Sequence, residues 1–207
     1  MPGERGRVVS GFRSSGSRAD KADIERRLAT ATRGAELLDR KQRILQRAID
    51  GLQGEADAAR LAWEEQAALA AVWLQRAAGL DGSDRISEAA PDVPATVQVQ
   101  WGGAMGISYP RGADCVLPVP EPTGGSSALA YAASAHRDAL QAAVAAASAE
   151  RALLLVSREL VATRTRQRAV ENRWIPLLHE QLAEIGRKIA EQELEESLRL
   201  RWSAGLI

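Results

Sequence analysis

PDVPATVQVQWGGAMGISYPRGADCVLPVPEP, residues 91–122, holds six of the eight prolines in this chain of 207 residues. Proline inside a helix removes a backbone hydrogen bond and destabilises the helix by about 3 kcal/mol. No proline occurs between Lys21 and Ala78, and only Pro176 occurs between Ser126 and Trp202. The proline map therefore predicts two very long helices, one on each side of a proline-rich centre.

The centre itself carries a strand signal. In residues 96–101, TVQVQW, apolar and polar side chains alternate and several are β-branched. A glycine-rich stretch follows, and then a second apolar run, CVLPVPEP. Strand, turn and strand predict a β-hairpin or an irregular projection. Because Pro118, Pro120 and Pro122 cannot donate to a sheet, any sheet here is expected to be small and edge-like. Gly102 and Gly103 lack the Gly-Lys-Ser/Thr continuation of a phosphate-binding loop.

The first arm follows a coiled-coil period. Steps of four and three residues from Ile24 reach Ala77 and meet only two polar side chains, Gln42 and Gln66. A mean step of 3.5 residues, held this long, is typical of a coiled coil, because a straight helix drifts away from such a stripe within a few heptads. The side chains away from the stripe are mostly charged, which predicts a solvated outer face.

The second arm resumes at Ser126 and Ser127, which are good helix N-caps. A stripe of steps of three and four residues runs from Leu153 to Trp174, and a second stripe displaced by one residue runs from Ile175 to Ile189. The shift lies beside Pro176, so we expect a kink or a stutter there.

These patterns predict an all-α dominated fold, a long antiparallel two-helix coiled coil with a small central β-hairpin or irregular projection. The expected parts are a flexible basic tail (1–19), a first coiled-coil helix (20–79), a linker and projection (80–125), a second coiled-coil helix (126–202) and a C-terminal tail (203–207). The predicted coiled-coil core consists of Ile24, Leu28, Leu38, Leu45, Ile49, Leu52, Trp63, Leu160, Val170, Leu178, Leu182, Ile185 and Ile189.

Composition argues against several functions. Lys plus Arg and Asp plus Glu both number 27, whereas general nucleic-acid binders are normally strongly basic. Cys115 is the single cysteine, which predicts no internal disulfide and a reducing cytoplasm. His136 and His179 have no partner at metal-ligand spacing. No apolar run approaches the roughly 20 residues of a membrane span. We expect no catalytic residue, metal or cofactor.

Basic side chains are the candidate partner contacts. RTRQR, residues 164–168, is the densest basic run, and its arginines favour acidic partner loops or simple solvation over nucleic acid. The candidate contacts are Arg33, Lys41, Arg43, Arg164, Arg166 and Arg168.

Three segments together resemble the D subunit of V-type and A-type ATPases. The first is IERRLATATRGAELLDRKQRIL (24–45), in which Asp39 stands where the family has a lysine. The second, GGAMGISYP (102–110), is similar to the family's central Met-Gly segment. The third, residues 164–202, resembles the C-terminal helix with its arginine cluster, Ile175-Pro176 and a Glu-rich end, although Arg168-Ala169-Val170-Glu171 lacks the family's asparagine.

The resemblance implies a non-catalytic central rotor shaft, cytoplasmic and peripheral to the membrane. Its implied partners are the catalytic-head subunits A and B, the small F subunit and the funnel subunit above the membrane ring. Two other interpretations stay open from the residues alone, a generic cytoplasmic coiled-coil scaffold or adaptor and a nucleic-acid-binding coiled coil. Stoichiometric capture of a small partner distinguishes the rotor shaft from the scaffold. Steeply salt-dependent binding of nucleic acid identifies the nucleic-acid-binding coiled coil.

Overall fold

The computed structural model describes residues 17–119 and 124–205. Three long helical elements and one hairpin follow in the order α1 (Arg18–Glu88), β1 (Thr96–Ala104), β2 (Ile107–Val116), α2 (Ser127–Ala169), a π-helical segment (Val170–Trp174) and α3 (Ile175–Ser203). The predicted fold class is confirmed, because two long packed helical arms are joined by a segment that forms a two-stranded antiparallel hairpin.

Helix α1 begins with a reciprocal cap. The Ser17 hydroxyl accepts a hydrogen bond from the Asp20 N–H at 3.1 Å, and the Asp20 carboxylate accepts one from the Ser17 N–H at 3.3 Å. This is the arrangement of a capping box, with an aspartate in the place of the usual glutamate. The helix passes through Gly79 and is interrupted only at Gly82, whose φ of 80° and ψ of 169° are not helical.

The hairpin turns at Met105 and Gly106. Both residues have positive φ, 52° and 83°, which is the backbone of a type I′ turn and matches the twist of paired strands. The second strand is therefore ISYPRGADCV, and the apolar run CVLPVPEP that we expected to form it overlaps it only at its end. A bulge between Gln100 and Trp101 changes the register next to Pro110, where a strand tolerates a residue without an N–H.

The register shift expected beside Pro176 takes the form of the π-helical segment. The Ile175 N–H donates to the Val170 carbonyl oxygen, five residues earlier. A π-turn inserts one extra residue into a helix, which moves the apolar stripe by one position. Pro176 has no N–H, so an α-helix would lack its hydrogen bond to the carbonyl four residues earlier. The wider turn therefore forms where one helical hydrogen bond is missing in any case.

The chain divides into two compact units, each with its own interior. The terminal unit comprises Met1–Asp39 and Arg164–Ile207, and the hairpin unit comprises Arg40–Thr163. In the terminal unit, Ile24, Leu178 and Ile185 are buried together and partly buried apolar side chains pack around them. Among its described residues, the hairpin unit has three clusters, centred on Leu45 with Val156 and Leu160, on Ala70 with Ala135 and Ala139, and on Ala77 with Ala128, Leu129 and Ala132.

Candidate functional site

The predicted core residues occupy a range of depths. Ile24, Leu45, Leu160, Leu178 and Ile185 are fully buried. The half-buried ones pack at the edges of these clusters or beside them, namely Leu28, Leu38, Ile49, Leu52, Val170, Leu182 and Ile189. Buried alanines that the core prediction did not name, such as Ala56 and Ala77, fill positions of the same stripe in the hairpin unit.

Trp63 is the most exposed of the predicted core residues. It lies seven residues from both Ala56 and Ala70, which are buried, but the structure leaves 40% of Trp63 exposed. Small side chains let two helix backbones approach closely. An indole ring needs more room than a methyl group at such a position, which is consistent with the exposure of Trp63. Heptad spacing places Trp63 on the apolar stripe, but it does not say how large a side chain the packing at that position can bury.

The candidate partner contacts are mostly on the surface. The exposed ones are Arg33, Arg43, Arg164, Arg166 and Arg168. Lys41 is different, since its ammonium nitrogen lies 2.7 Å from a carboxylate oxygen of Glu159 and its side chain is only 23% exposed. Lys41 is therefore engaged within its own chain, joining α1 to α2 next to the buried Thr163, and it is not a freely presented contact. No sequence pattern linked these two residues, which are 118 positions apart.

The terminal unit has an open groove of about 690 Å³. Its floor is apolar, with Ala31, Leu38 and Val170, and Gly34 leaves open space where a Cβ would stand. Arg26 and Arg27 line it together with Trp174, which is nearly half exposed. The aspartate Asp23 forms ion pairs with both of these arginines at 3.4 and 2.7 Å, so their positive charge is partly neutralised locally.

The hairpin unit presents two apolar surfaces that the sequence analysis did not identify as sites. The first is an aromatic cluster, in which Trp73 stacks on Tyr131 with ring centroids 4.7 Å apart. The guanidinium of Arg76 lies 4.5 Å above the centre of the Trp73 ring. Leu69 and Leu80, one turn or two away on α1, are exposed. Trp, Tyr and Arg are the side chains most enriched in the energetic centres of protein interfaces.

The second apolar surface is one face of the β-hairpin. Ile107 and Tyr109 pack on the cluster around Leu45, so this end of β2 faces the helices. Val97, Val99 and Trp101 alternate along β1 and are exposed, Trp101 by 63%. Alternating residues share one side of a strand, so these three form a continuous apolar surface. The alternation was visible in the sequence, but its exposure depends on the docking of the opposite face.

Electrostatics in the described residues are those of a charged helical surface. Lys188 donates a hydrogen bond to Glu184, and together with the charge of that lysine it holds the pKa of the Glu184 carboxyl below its usual range. Within residues 17–119 and 124–205, no group of three or more His, Cys, Asp or Glu side chains is arranged to hold a metal ion.

One helical stretch meets the length and hydropathy criterion for a membrane span. The segment Ser127–Ser203 contains a window of 18 residues with a mean hydropathy of 1.4, which is long and apolar enough to cross a bilayer by length and composition. Core helices of soluble proteins meet the same criterion. Several alanines of the segment, among them Ala132 and Ala139, are buried in clusters with side chains of α1.

Long paired helices enclosing a β-hairpin define the class of this protein, a helical hairpin with a small β insert. The model of the ATP synthase D-subunit family matches residues 22–204. The chain is 29% identical to the V-type ATP synthase D subunit of Thermus thermophilus, over 87% of this chain and 82% of that protein. It is also 29% identical to the V-type ATP synthase D subunit of Anaeromyxobacter dehalogenans strain 2CP-C, over 91% of this chain and 94% of that protein.

The chain belongs to the ATP synthase D-subunit family. It is thus a component of a membrane-associated, ATP-driven V-type ATP synthase complex. The resemblance drawn from residues 24–45, 102–110 and 164–202 is confirmed, since the matched region contains all three segments.

Proposed function

We propose that this chain is the central rotor shaft of a V/A-type ATP synthase. It carries torque between ATP hydrolysis or synthesis in the catalytic head and ion transport through the membrane ring, and it contributes no catalytic residue. The observation that supports this most is the family match, which covers both helical arms and the hairpin between them. The proposed location is cytoplasmic and peripheral to the membrane.

The exposed charge of the terminal unit suits a shaft that turns inside a collar. Its interior is held by large apolar side chains, while Arg33, Arg164 and Arg168 lie on its surface. Exposed ion pairs are individually weak, typically below about 1 kcal/mol. Contacts of that size can form and break at each step, so we assign this surface to the catalytic-head subunits A and B.

The aromatic cluster of the hairpin unit suits a partner that turns with the shaft. Trp73 and Tyr131 are stacked and partly exposed, and Arg76 extends over the Trp73 ring. Burial of such a surface gives a slowly dissociating contact. We assign this surface to the small F subunit, and we assign the remaining surface of the hairpin unit to the funnel subunit.

The direct test is rotation. A complex lacking its own D subunit is reconstituted with this chain, a bead is fixed to the chain, and ATP-driven rotation and ion transport are recorded together. We expect both to be restored. A chain that is stationary during hydrolysis, or a complex that works equally well without the chain, contradicts the proposal. Self-association of the chain without binding to the complex supports the scaffold alternative.

Two variants test the surface assignments separately. Arg168→Glu is expected to slow ATP hydrolysis by the assembled complex, whereas Arg201→Glu, another exposed arginine of the terminal unit, serves as its control. Tyr131→Ala is expected to reduce stoichiometric co-purification of the small F subunit, with the exposed Leu154→Ala as control. Equal effects in a variant and its control remove the corresponding assignment.

A further inference from the structure

The end of α1 and the beginning of α2 are joined by one carboxylate. Asp81 accepts a hydrogen bond from the Ser126 N–H at 2.7 Å, and its second oxygen accepts one from the Ser126 hydroxyl. The two residues are 45 positions apart. Hydrogen bonds to an ionised carboxylate are roughly twice as strong as those between neutral groups.

Ser126 is at the same time the N-cap of α2. Its hydroxyl oxygen accepts a hydrogen bond from the Leu129 N–H at 3.3 Å. The hydroxyl therefore connects the two helices, since it accepts a hydrogen bond from the first turn of α2 and donates one to the Asp81 side chain of α1. Because the orphan N–H groups of a helix start need acceptors, the cap and the connection between the helices depend on each other.

Asp81 stands directly before the one break in α1. Gly82 has non-helical angles, so the ladder of backbone hydrogen bonds is interrupted there. A helix resists twisting through that ladder, and beyond the break its orientation depends on tertiary contacts. Asp81 supplies such a contact at the last residue before the interruption, and Ile86, after it, packs against the cluster of Ala77, Ala128, Leu129 and Ala132.

Two glycines precede Ser126, and the nearer one, Gly125, lies close to Asp81. A Cβ at Gly125 would lie 2.9 Å from Leu129 Cδ2 and 3.3 Å from Asp81 Oδ1, and the φ of this residue is +139°. A Cβ at Gly124 would lie 2.9 Å from Nη2 of Arg85. A side chain at position 125 would crowd Asp81 Oδ1 and would be strained by the positive φ of this residue. Position 125 therefore favours glycine beside this contact.

We propose that Asp81 is a positioning residue for torque transmission, acting through Ser126 to stop α1 and α2 from moving relative to each other at this end of the helix pair. The inference rests on the proposed rotor function. Without the connection, part of the rotation at one end of the shaft is absorbed as twist between the helices, so ATP is hydrolysed with less ion transport for each ATP.

The experiment compares Asp81→Ala and Ser126→Ala with Asp84→Ala in the reconstituted complex. Asp84 is a matched control, because it is an exposed carboxylate one turn away whose bond is to the adjacent Ser83. Proton uptake, uptake of radiolabelled sodium and ATP hydrolysis are measured on the same assembled complexes. We expect Asp81→Ala and Ser126→Ala to lower ions transported per ATP several-fold, with hydrolysis nearly unchanged, and Asp84→Ala to leave the ratio as in the wild type.

Hydrogen exchange provides the second measurement. Loss of Asp81 is expected to speed exchange of the Leu129 and Ala130 amides about tenfold, the effect of one net hydrogen bond. Faster exchange with an unchanged transport ratio reduces the role to helix capping and overturns the inference, as does unchanged exchange. If a variant assembles poorly, the number of ions transported per ATP hydrolysed by the assembled fraction still tests the inference. Failure of the wild-type chain to restore transport contradicts the rotor function itself and is distinguishable from these outcomes.

Discussion

The interior of the terminal unit and the interior of the hairpin unit are built from different side chains. Ile24, Leu178 and Ile185 fill the first, whereas alanines dominate two of the three clusters of the second. Large branched side chains bury more apolar area per residue, roughly 25 cal/mol for each Å². Alanine buries little, but it lets helix backbones lie close together and leaves no room for larger neighbours.

One heptad pattern therefore supports two kinds of packing. In the terminal unit the stripe residues supply the stabilising area themselves. In the hairpin unit the alanine stripe defines a narrow spacing, and polar connections such as Lys41 with Glu159 add specificity. Substitutions should therefore destabilise the two units for different reasons, through lost volume in the terminal unit and through added volume at the alanines of the hairpin unit.

The largest expected effect is loss of volume in the terminal unit. Ile185 is 2% exposed, and Ile185→Ala should lower the free energy of unfolding by about 2–4 kcal/mol, through lost burial and a residual cavity. Denaturant unfolding of the isolated chain or of its complex measures it. The control is Leu177→Ala on the exposed side of α3. A similar small loss in both variants would show that the buried stripe does not carry the stability.

Added volume in the hairpin unit should come next. Ala77 is fully buried, and Ala77→Leu should destabilise the chain by about 1–3 kcal/mol because the closely packed helices must move apart. Ala78→Leu, one position along the same helix and exposed, is the matched control. Stabilisation by Ala77→Leu would instead reveal spare room at the seam, and the contrast between the units would be lost.

The connection between Lys41 and Glu159 gives a third test. Both side chains are about three-quarters buried, and Glu159→Gln should lower the free energy of unfolding by about 1 kcal/mol, with the loss diminishing in high salt. Glu64→Gln breaks the exposed pair of Arg60 and Glu64 on one helix and should change stability by less. A double-mutant cycle with Lys41→Met measures the coupling, and zero coupling would contradict a specific contact.

Glycines in α1 should respond according to their backbone. Gly34 and Gly51 lie inside the helix with open space around the Cβ position, so alanine there should stabilise by about 0.5–1 kcal/mol. Gly82→Ala should destabilise by about 1 kcal/mol, because its φ of 80° disfavours any side chain. Thermal unfolding of the three variants decides, and a stabilising Gly82→Ala would mean that the break is not required.

The smallest expected effect is the pH dependence from Glu184. Its pKa lies below that of an ordinary glutamate because of the bond from Lys188, so its folded form binds protons less readily than its unfolded form. The resulting stability is present at neutral pH, above the unfolded pKa, and is lost as the pH falls through the lowered folded pKa. Comparing Glu184→Gln with the wild type across acidic pH should show a slight difference that vanishes in acid.

Much of the fold was predictable from local sequence. The prolines delimit the helices, a glycine-rich stretch contains the turn between the strands, and the one-residue displacement at Pro176 corresponds to a π-turn, because each depends on the backbone of a few neighbouring residues. The position of the turn at Met105 and Gly106 and the extent of the second strand came only from the structure. The exact helix ends were less accessible. Helix α1 begins at Arg18 and not at Asp20, because Ser17 and Asp20 cap it through two reciprocal hydrogen bonds.

Two helical arms around a hairpin, and the family to which they belong, could be read from the chain alone, because proline, glycine and heptad spacing act locally. The exposure of Trp63, the ion pair of Lys41 with Glu159 and the hydrogen bonds of Asp81 with Ser126 could be seen only in the folded molecule. These outcomes depend on the axial alignment of two helices far apart in the chain. That alignment is set by the packing of the whole seam, which no single residue or spacing specifies.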